Sequence, residues 1–138
     1  MMMSPADVIA FWTNEVGEAR WYNGDAALDA RIRERFADLW RTAKDGGLVS
    51  WEVSAEGTLA LVLILDQFPR NMFRGTADSF ATDAQAREVA ARAIDRGFDM
   101  KIEPPLREFF YMPFMHSENI ADQDRSVALI AERLGKDS

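Results

Sequence analysis

Two stretches of this chain carry the residue types for proton transfer and anion binding. The first is Asp66-Gln67-Phe68-Pro69-Arg70-Asn71-Met72-Phe73-Arg74. It follows Leu59-Ala60-Leu61-Val62-Leu63-Ile64-Leu65, the most apolar run in the sequence. A carboxylate at the end of such a run needs a partner, because an unpaired buried charge is costly. Arg70 and Arg74 are near enough to supply one. A guanidinium fork also suits a carboxylate or phosphate ligand. Asp66 with Arg70 is therefore either an ion pair that fixes the chain reversal or the floor of an anion site, with Gln67, Asn71 and Arg74 beside it.

The second stretch is Tyr111-Met112-Pro113-Phe114-Met115-His116-Ser117-Glu118, followed by Asp122-Gln123. His116 is the single histidine. It is either a hydrogen-bonded structural residue or a general base. As a base it would need Glu118 or Asp66 to orient it, and Arg70 could stabilise developing negative charge. A Ser-His-Glu triad within the tripeptide does not fit, since sequence neighbours do not share a helix face. Asp122-Gln123 echoes Asp66-Gln67. Both pairs either bond helix ends or line one cleft, for which Trp21 and Tyr111 would be aromatic walls.

Composition excludes several alternatives. The 138 residues carry a net charge of −7 and a pI near 4.7. The densest basic stretch, Arg31, Arg33 and Arg35, is interleaved with Glu34 and reads as a solvated helix face, so no nucleic-acid partner is expected. Acidic membranes are disfavoured on the same charge. With no cysteine, disulfides, thiol catalysis and cysteine-ligated zinc fall away. One histidine alone does not make a zinc site, and neither GxGxxG nor GxxxxGK[ST] occurs. No metal or cofactor is expected. Met1-Met2-Met3-Ser4-Pro5 lacks the features of a signal peptide. An apolar run of seven residues falls far short of the roughly 20 that span a membrane. These features suit a cytoplasmic protein, read as one helical domain over 1–138.

Six helices would position these groups. Ser4 and Pro5 start the first, which runs to about Asn14 and stops at Gly17. The loop Glu18 to Asp25 carries Trp21 and Tyr22. In the second, about Asp25 to Lys44, Leu28, Ile32, Phe36, Leu39 and Trp40 fall at helical spacing. Ser54 caps the third, a central helix carrying the apolar run, and Pro69 is expected to end it. Thr82-Asp83-Ala84-Gln85 reads as the capping box of a fourth, closed by Gly97. A fifth starts at Pro104-Pro105 and is kinked or stopped by Pro113. The last places Ile120, Val127, Ile130, Ala131 and Leu134 on one face, with Gly135 at its end. The class is all-α, built as antiparallel helical hairpins.

Three motifs in this order, D-Q-F-P-R-N, F-x-x-D and P-F-x-H-S-E, closely resemble a mainly bacterial family, domain of unknown function family 924. The resemblance runs from about Val8 to Leu134. It implies a tetratricopeptide-repeat-like right-handed superhelix, although no repeat of that period is visible in the sequence. It also marks Trp21, Asp66, Gln67, Pro69, Arg70, Asn71, Arg74, Asp83, Tyr111, His116, Ser117, Glu118, Asp122 and Gln123 as shared positions. Family members continue past the point where this chain stops at Gly135-Lys136-Asp137-Ser138. An exposed end of a helical stack favours association, so a homo-oligomer through the C-terminal helices is expected. Two functions follow. One is a binding module with a polar cleft for a small anionic ligand or peptide. The other is a hydrolase-type or acid–base enzyme using His116 with Asp66 or Glu118, and Arg70.

Overall fold

The computed structural model describes residues 3–135, and every regular element among them is helical. The expectations for Met1, Met2 and Lys136 to Ser138 lie outside the described residues. The helices, in order, are α1 (Pro5–Ala10), α2 (Ala26–Lys44), α3 (Ala55–Val62), α4 (Phe68–Met72), α5 (Asp83–Asp95), α6 (Met112–Met115) and α7 (Ile120–Leu134). Because α3 and α4 are joined without a break by a π-helical turn, Leu63–Gln67, they form one rod, and the described residues make six helical units, as expected.

The caps follow local chemistry. Ser4 and Asp7 form a reciprocal capping box at α1. Asp25 accepts from the Leu28 amide at 2.8 Å, and Ser54 accepts from the Gly57 amide at 2.9 Å. Each such cap contributes about 1 kcal/mol. Gly97 closes α5 at φ 73°, and the Phe98 amide returns to the Ala93 carbonyl at 2.9 Å, the bond pattern of a Schellman motif.

The α3–α4 rod is central, touching α1, α2 and α5. Leu59 through Leu65 are all at most 4% exposed, so no polar face was available to give a period in the sequence. Burying each large aliphatic side chain contributes about 1.5–3 kcal/mol. Phe68 meets Phe11 and Phe36 edge-on or tilted, and Trp12 stacks on Trp21. The rod also lies against the segment preceding α6: Phe109 and Phe110 are fully buried.

Four local expectations need correction. Pro69 does not end the helix. It lacks the amide that would bond the Leu65 carbonyl, and the π turn widens the rod just before it, with the Phe68 amide bonding Leu63. Thr82 precedes α5 but makes no capping bond, because its hydroxyl is engaged with Leu65 and Trp40. The fifth unit is a 3-10 turn, Leu106–Phe110, followed by α6, in which Pro113 sits in the first turn. There its missing amide breaks no helical bond. On α7 the packed face is Ser126, Leu129 and Ile130, while Ile120 and Val127 are exposed.

Candidate functional site

Asp66 sits within the π turn of the rod. A π turn inserts one extra residue, re-aims the side chains that follow, and is frequent at functional sites. Asp66 is 0% exposed, yet its oxygens are well supplied with donors. Gln67 Nε2 donates to Oδ2 at 2.9 Å, and Arg70 Nη1 lies 3.5 Å from Oδ1. The third partner comes from a distant part of the chain: His116 Nδ1 lies 2.9 Å from Asp66 Oδ1. A carboxylate has only acceptors, so Nδ1 carries the proton and donates. The other ring nitrogen, Nε2, is then the one with the lone pair.

His116 lies at the end of α6, on the wall of an open cleft of about 820 Å3. Arg70, Phe80, Asp83, Arg87, Glu118 and Asp122 line the same cleft. The imidazole is 20% exposed, so its position joins a dry carboxylate to a wet cavity. A buried acceptor holding Nδ1 fixes both the tautomer and the ring orientation of a histidine.

Arg70 is a wall rather than a hand. Its Nη1 and Nη2 donate to the two oxygens of Asp83 at 2.9 and 3.0 Å. Nη1 also donates to the Asp66 carbonyl at 2.6 Å. This fork–fork pair ties α4 to the start of α5 and leaves little of Arg70 for a ligand. Across the cleft, Ser117 Oγ donates to Asp122 at 2.7 Å, and Gln123 Nε2 donates to the Ser117 carbonyl at 2.8 Å. Ser117 is thus committed to a carboxylate and is no nucleophile for His116.

The remaining sequence candidates lie elsewhere. Trp21 was expected to wall the cleft, but it is 5% exposed, stacks on Trp12 and donates to the Trp12 carbonyl at 2.9 Å. Tyr111 was expected on the other wall, but it is fully buried and donates to Asp99 at 2.6 Å. Burial, reinforced by the charge of Asp99, pushes its phenol well above the ordinary range. Asn71 and Arg74 point away from His116, to Asp29 on α2. Arg74 Nε and Nη2 reach it at 2.7 and 3.0 Å, and Asn71 Nδ2 at 2.9 Å. They stitch α4 to α2. Gln67 supports Asp66 from within the core, at 5% exposure. Glu118 lines the cleft but makes no hydrogen bond to His116 among the described residues. Asp66, not Glu118, orients the histidine.

Arg87 and Phe80 join the site although neither stood out in the sequence as a site residue. Arg87 stands four residues after Asp83 on α5, hence on the same face, and that spacing was a usable signal. Phe80 heads the F-x-x-D motif that ends at Asp83. Among the described residues, no group of three or more His, Asp and Glu side chains gathers to hold a metal ion. No helix among them is long and apolar enough to cross a membrane.

Comparison with known proteins agrees with the motifs at the level of family. No curated protein matches the chain. A solved structure of a protein of unknown function from Agrobacterium tumefaciens, ATU0120, is similar at 46% sequence identity. The match covers 96% of this chain and 74% of that one, with a TM-score of 0.90. The family model described as bacterial protein of unknown function (DUF924) matches residues 8–138, and the chain belongs to that family.

Proposed function

We propose that the cleft is a small-molecule site in which His116 acts as a general base, so that the protein is an acid–base enzyme, hydrolytic in type. The observation that supports this is the 2.9 Å contact between His116 Nδ1 and the fully buried Asp66. A histidine that only tied helices together would have no need to stand on a cleft wall. With Nδ1 donating to Asp66, Nε2 takes a proton from a water or from an acidic group of the ligand. The imidazolium so formed is stabilised by the Asp66 carboxylate and returns the proton to the leaving group. No side-chain nucleophile is available beside it, because Ser117 is bonded to Asp122. Attack by water is therefore the hydrolytic route. A purely anion-binding role is less well supported, because it leaves the contact between His116 and Asp66 without a part.

The test uses the single histidine as its own reporter. Nitrogen-15 NMR of the native protein should give one imidazole whose Nδ1 carries a proton hydrogen-bonded to a carboxylate, a signature lost in Asp66→Asn. A screen of small esters, amides and phosphate esters should then yield a substrate whose turnover falls by about 10²–10⁴-fold in His116→Gln. Turnover of that substrate at the wild-type rate by His116→Gln would remove the proposal.

A further inference from the structure

Arg87 differs from the other arginine of the cleft. Its guanidinium makes no hydrogen bond among the described residues, and its closest carboxylate oxygen, Asp122 Oδ2, is 4.0 Å away. Yet its side chain is only 29% exposed. A guanidinium with five donors, partly withdrawn from water and lacking acceptors, is set up to receive a planar anion.

Phe80 is the second unusual feature. It is 63% exposed, and a lone exposed aromatic would mean little. This one lines the cleft and is held outward from both sides. Ser79 before it is buried and donates to the Thr76 carbonyl at 2.7 Å. Thr82 after it is fully buried and bonded to Leu65 and Trp40. The Arg70 guanidinium lies 5.8 Å from the Phe80 ring centroid, which fixes a cation against the ring. The ring is a platform at the cleft wall, in a segment that cannot readily turn it inward.

We propose that the ligand of this cleft is a small monocarboxylate bearing an aromatic or flat apolar group. Its carboxylate sits in the fork of Arg87, its apolar group lies on Phe80, and the atoms between them come within reach of His116. A carboxylate is preferred over a phosphate because Glu118 and Asp122 line the same cleft, and their repulsion grows with the ligand's charge. Arg70 takes no direct part, since both its arms are held by Asp83. The inference rests on the reading of the cleft as a small-molecule site, but not on the chemistry assigned to His116.

Titration calorimetry of the full chain tests it with three probes: phenylacetate, acetate and phenyl phosphate. Phenylacetate should bind at millimolar concentration or better, and more tightly than either of the others. Arg87→Gln should weaken phenylacetate by about tenfold or more, the loss of a charge-assisted bond. Phe80→Ala should weaken phenylacetate by about two- to tenfold and leave acetate unchanged. Circular dichroism melts of both variants confirm that each is folded. Wild-type affinity in folded Arg87→Gln, tighter binding of phenyl phosphate, or no phenylacetate binding at millimolar concentration would each overturn the inference. His116→Gln separates the two readings. Phenylacetate binding retained in that variant, with no His116-dependent turnover of any substrate, leaves the ligand class standing and removes the base. His116-dependent turnover with an indifferent Arg87→Gln does the reverse.

Discussion

Thr82 Oγ1 donates to the Leu65 carbonyl at 2.6 Å, the acceptor that Pro69 leaves without its helical amide. The same hydroxyl accepts from Trp40 Nε1 at 3.0 Å. One buried side chain thus repairs the backbone beside a proline, anchors an indole from α2 and fixes the start of α5. The helix continues through Pro69 while Thr82, 17 residues away, supplies a donor to the Leu65 carbonyl beside it.

Replacing that hydroxyl by a methyl group should therefore hurt far more than its size suggests. Thr82→Val leaves one buried acceptor and one buried donor without partners and should cost about 2–6 kcal/mol, each unsatisfied group costing about 1–3. Thr82→Ser keeps the hydroxyl and should cost clearly less. Urea denaturation of the three proteins measures this, and equal midpoints for the valine and serine variants would refute the repairing role of the hydroxyl.

Gly57 lies in the first turn of α3, where a Cβ would stand 2.1 Å from the Trp51 carbonyl oxygen. Backbone, not a flexible side chain, occupies the space. Gly57→Ala must displace the turn Val49–Val53 and should destabilise the fold by about 1–3 kcal/mol, even though alanine is the better helix former. A variant as stable as the wild type in the same denaturation would show that the turn moves freely.

The node at Asp29 predicts an acid-sensitive seam between α2 and α4. The Arg74 guanidinium, with help from the Asn71 amide, holds the Asp29 carboxyl below its usual range, against burial that pushes it up. A depressed folded value stabilises the fold above the unfolded value of about 3.9 and loses that contribution as pH falls through the folded value. The stability gap between wild type and Asp29→Asn should thus be full near neutrality and shrink below about pH 4. A gap independent of pH would rule this out. Because Arg74 is 59% exposed, added salt should narrow the gap at neutral pH.

Tyr111 gives the opposite sign. Its raised phenol favours the folded state fully below the unfolded value of about 10, and this contribution is lost as pH rises through the folded value. The chain has two tyrosines. Burial and the Glu108 carboxylate raise the phenol of Tyr22 as well, so in the folded protein just above pH 10 the tyrosinate absorbance should stay well below half of its fully ionised amplitude. The remainder should appear only with unfolding. Full amplitude in a protein that circular dichroism shows to be folded would contradict the burial of Tyr111.

Much of the fold was legible because each helix announces itself locally. Leu28, Ile32, Phe36, Leu39 and Trp40 have one face, Ser4 and Ser54 are cap residues, and Gly97 closes α5. The π turn at Leu63–Gln67 was not legible, since a run buried on all sides has no period to read. The assumption that proline stops a helix failed because the repairing hydroxyl lies on another element. The site was half legible. Asp66 and His116 stood out by their chemistry, but no local pattern encodes a contact across 50 residues, and Glu118 competed with Asp66 as the orienting group. Trp21, Tyr111, Asn71 and Arg74 were grouped with them because motif proximity in sequence says nothing about which side of a helix a residue takes. Arg70 and Asp83 were each noticed, but only the folded chain shows that they neutralise one another and leave Arg87 as the open fork.

The π turn also makes chain length, as well as residue identity, a condition for the site. Removing one residue ahead of Asp66 from this turn would let the rod close toward regular α-helix, with its two parts in nearly the same orientation but with the Asp66 side chain no longer aimed as the turn aims it. The core could absorb such a local change by exchanging one aliphatic contact for another. A single carboxylate aimed at a single imidazole could not. A relative could therefore keep Asp66, His116 and every motif around them, yet differ by one residue in this turn. Such a chain would fold alike and hold an unoriented histidine, so counting residues in this segment is a sharper criterion for a working site than matching its letters.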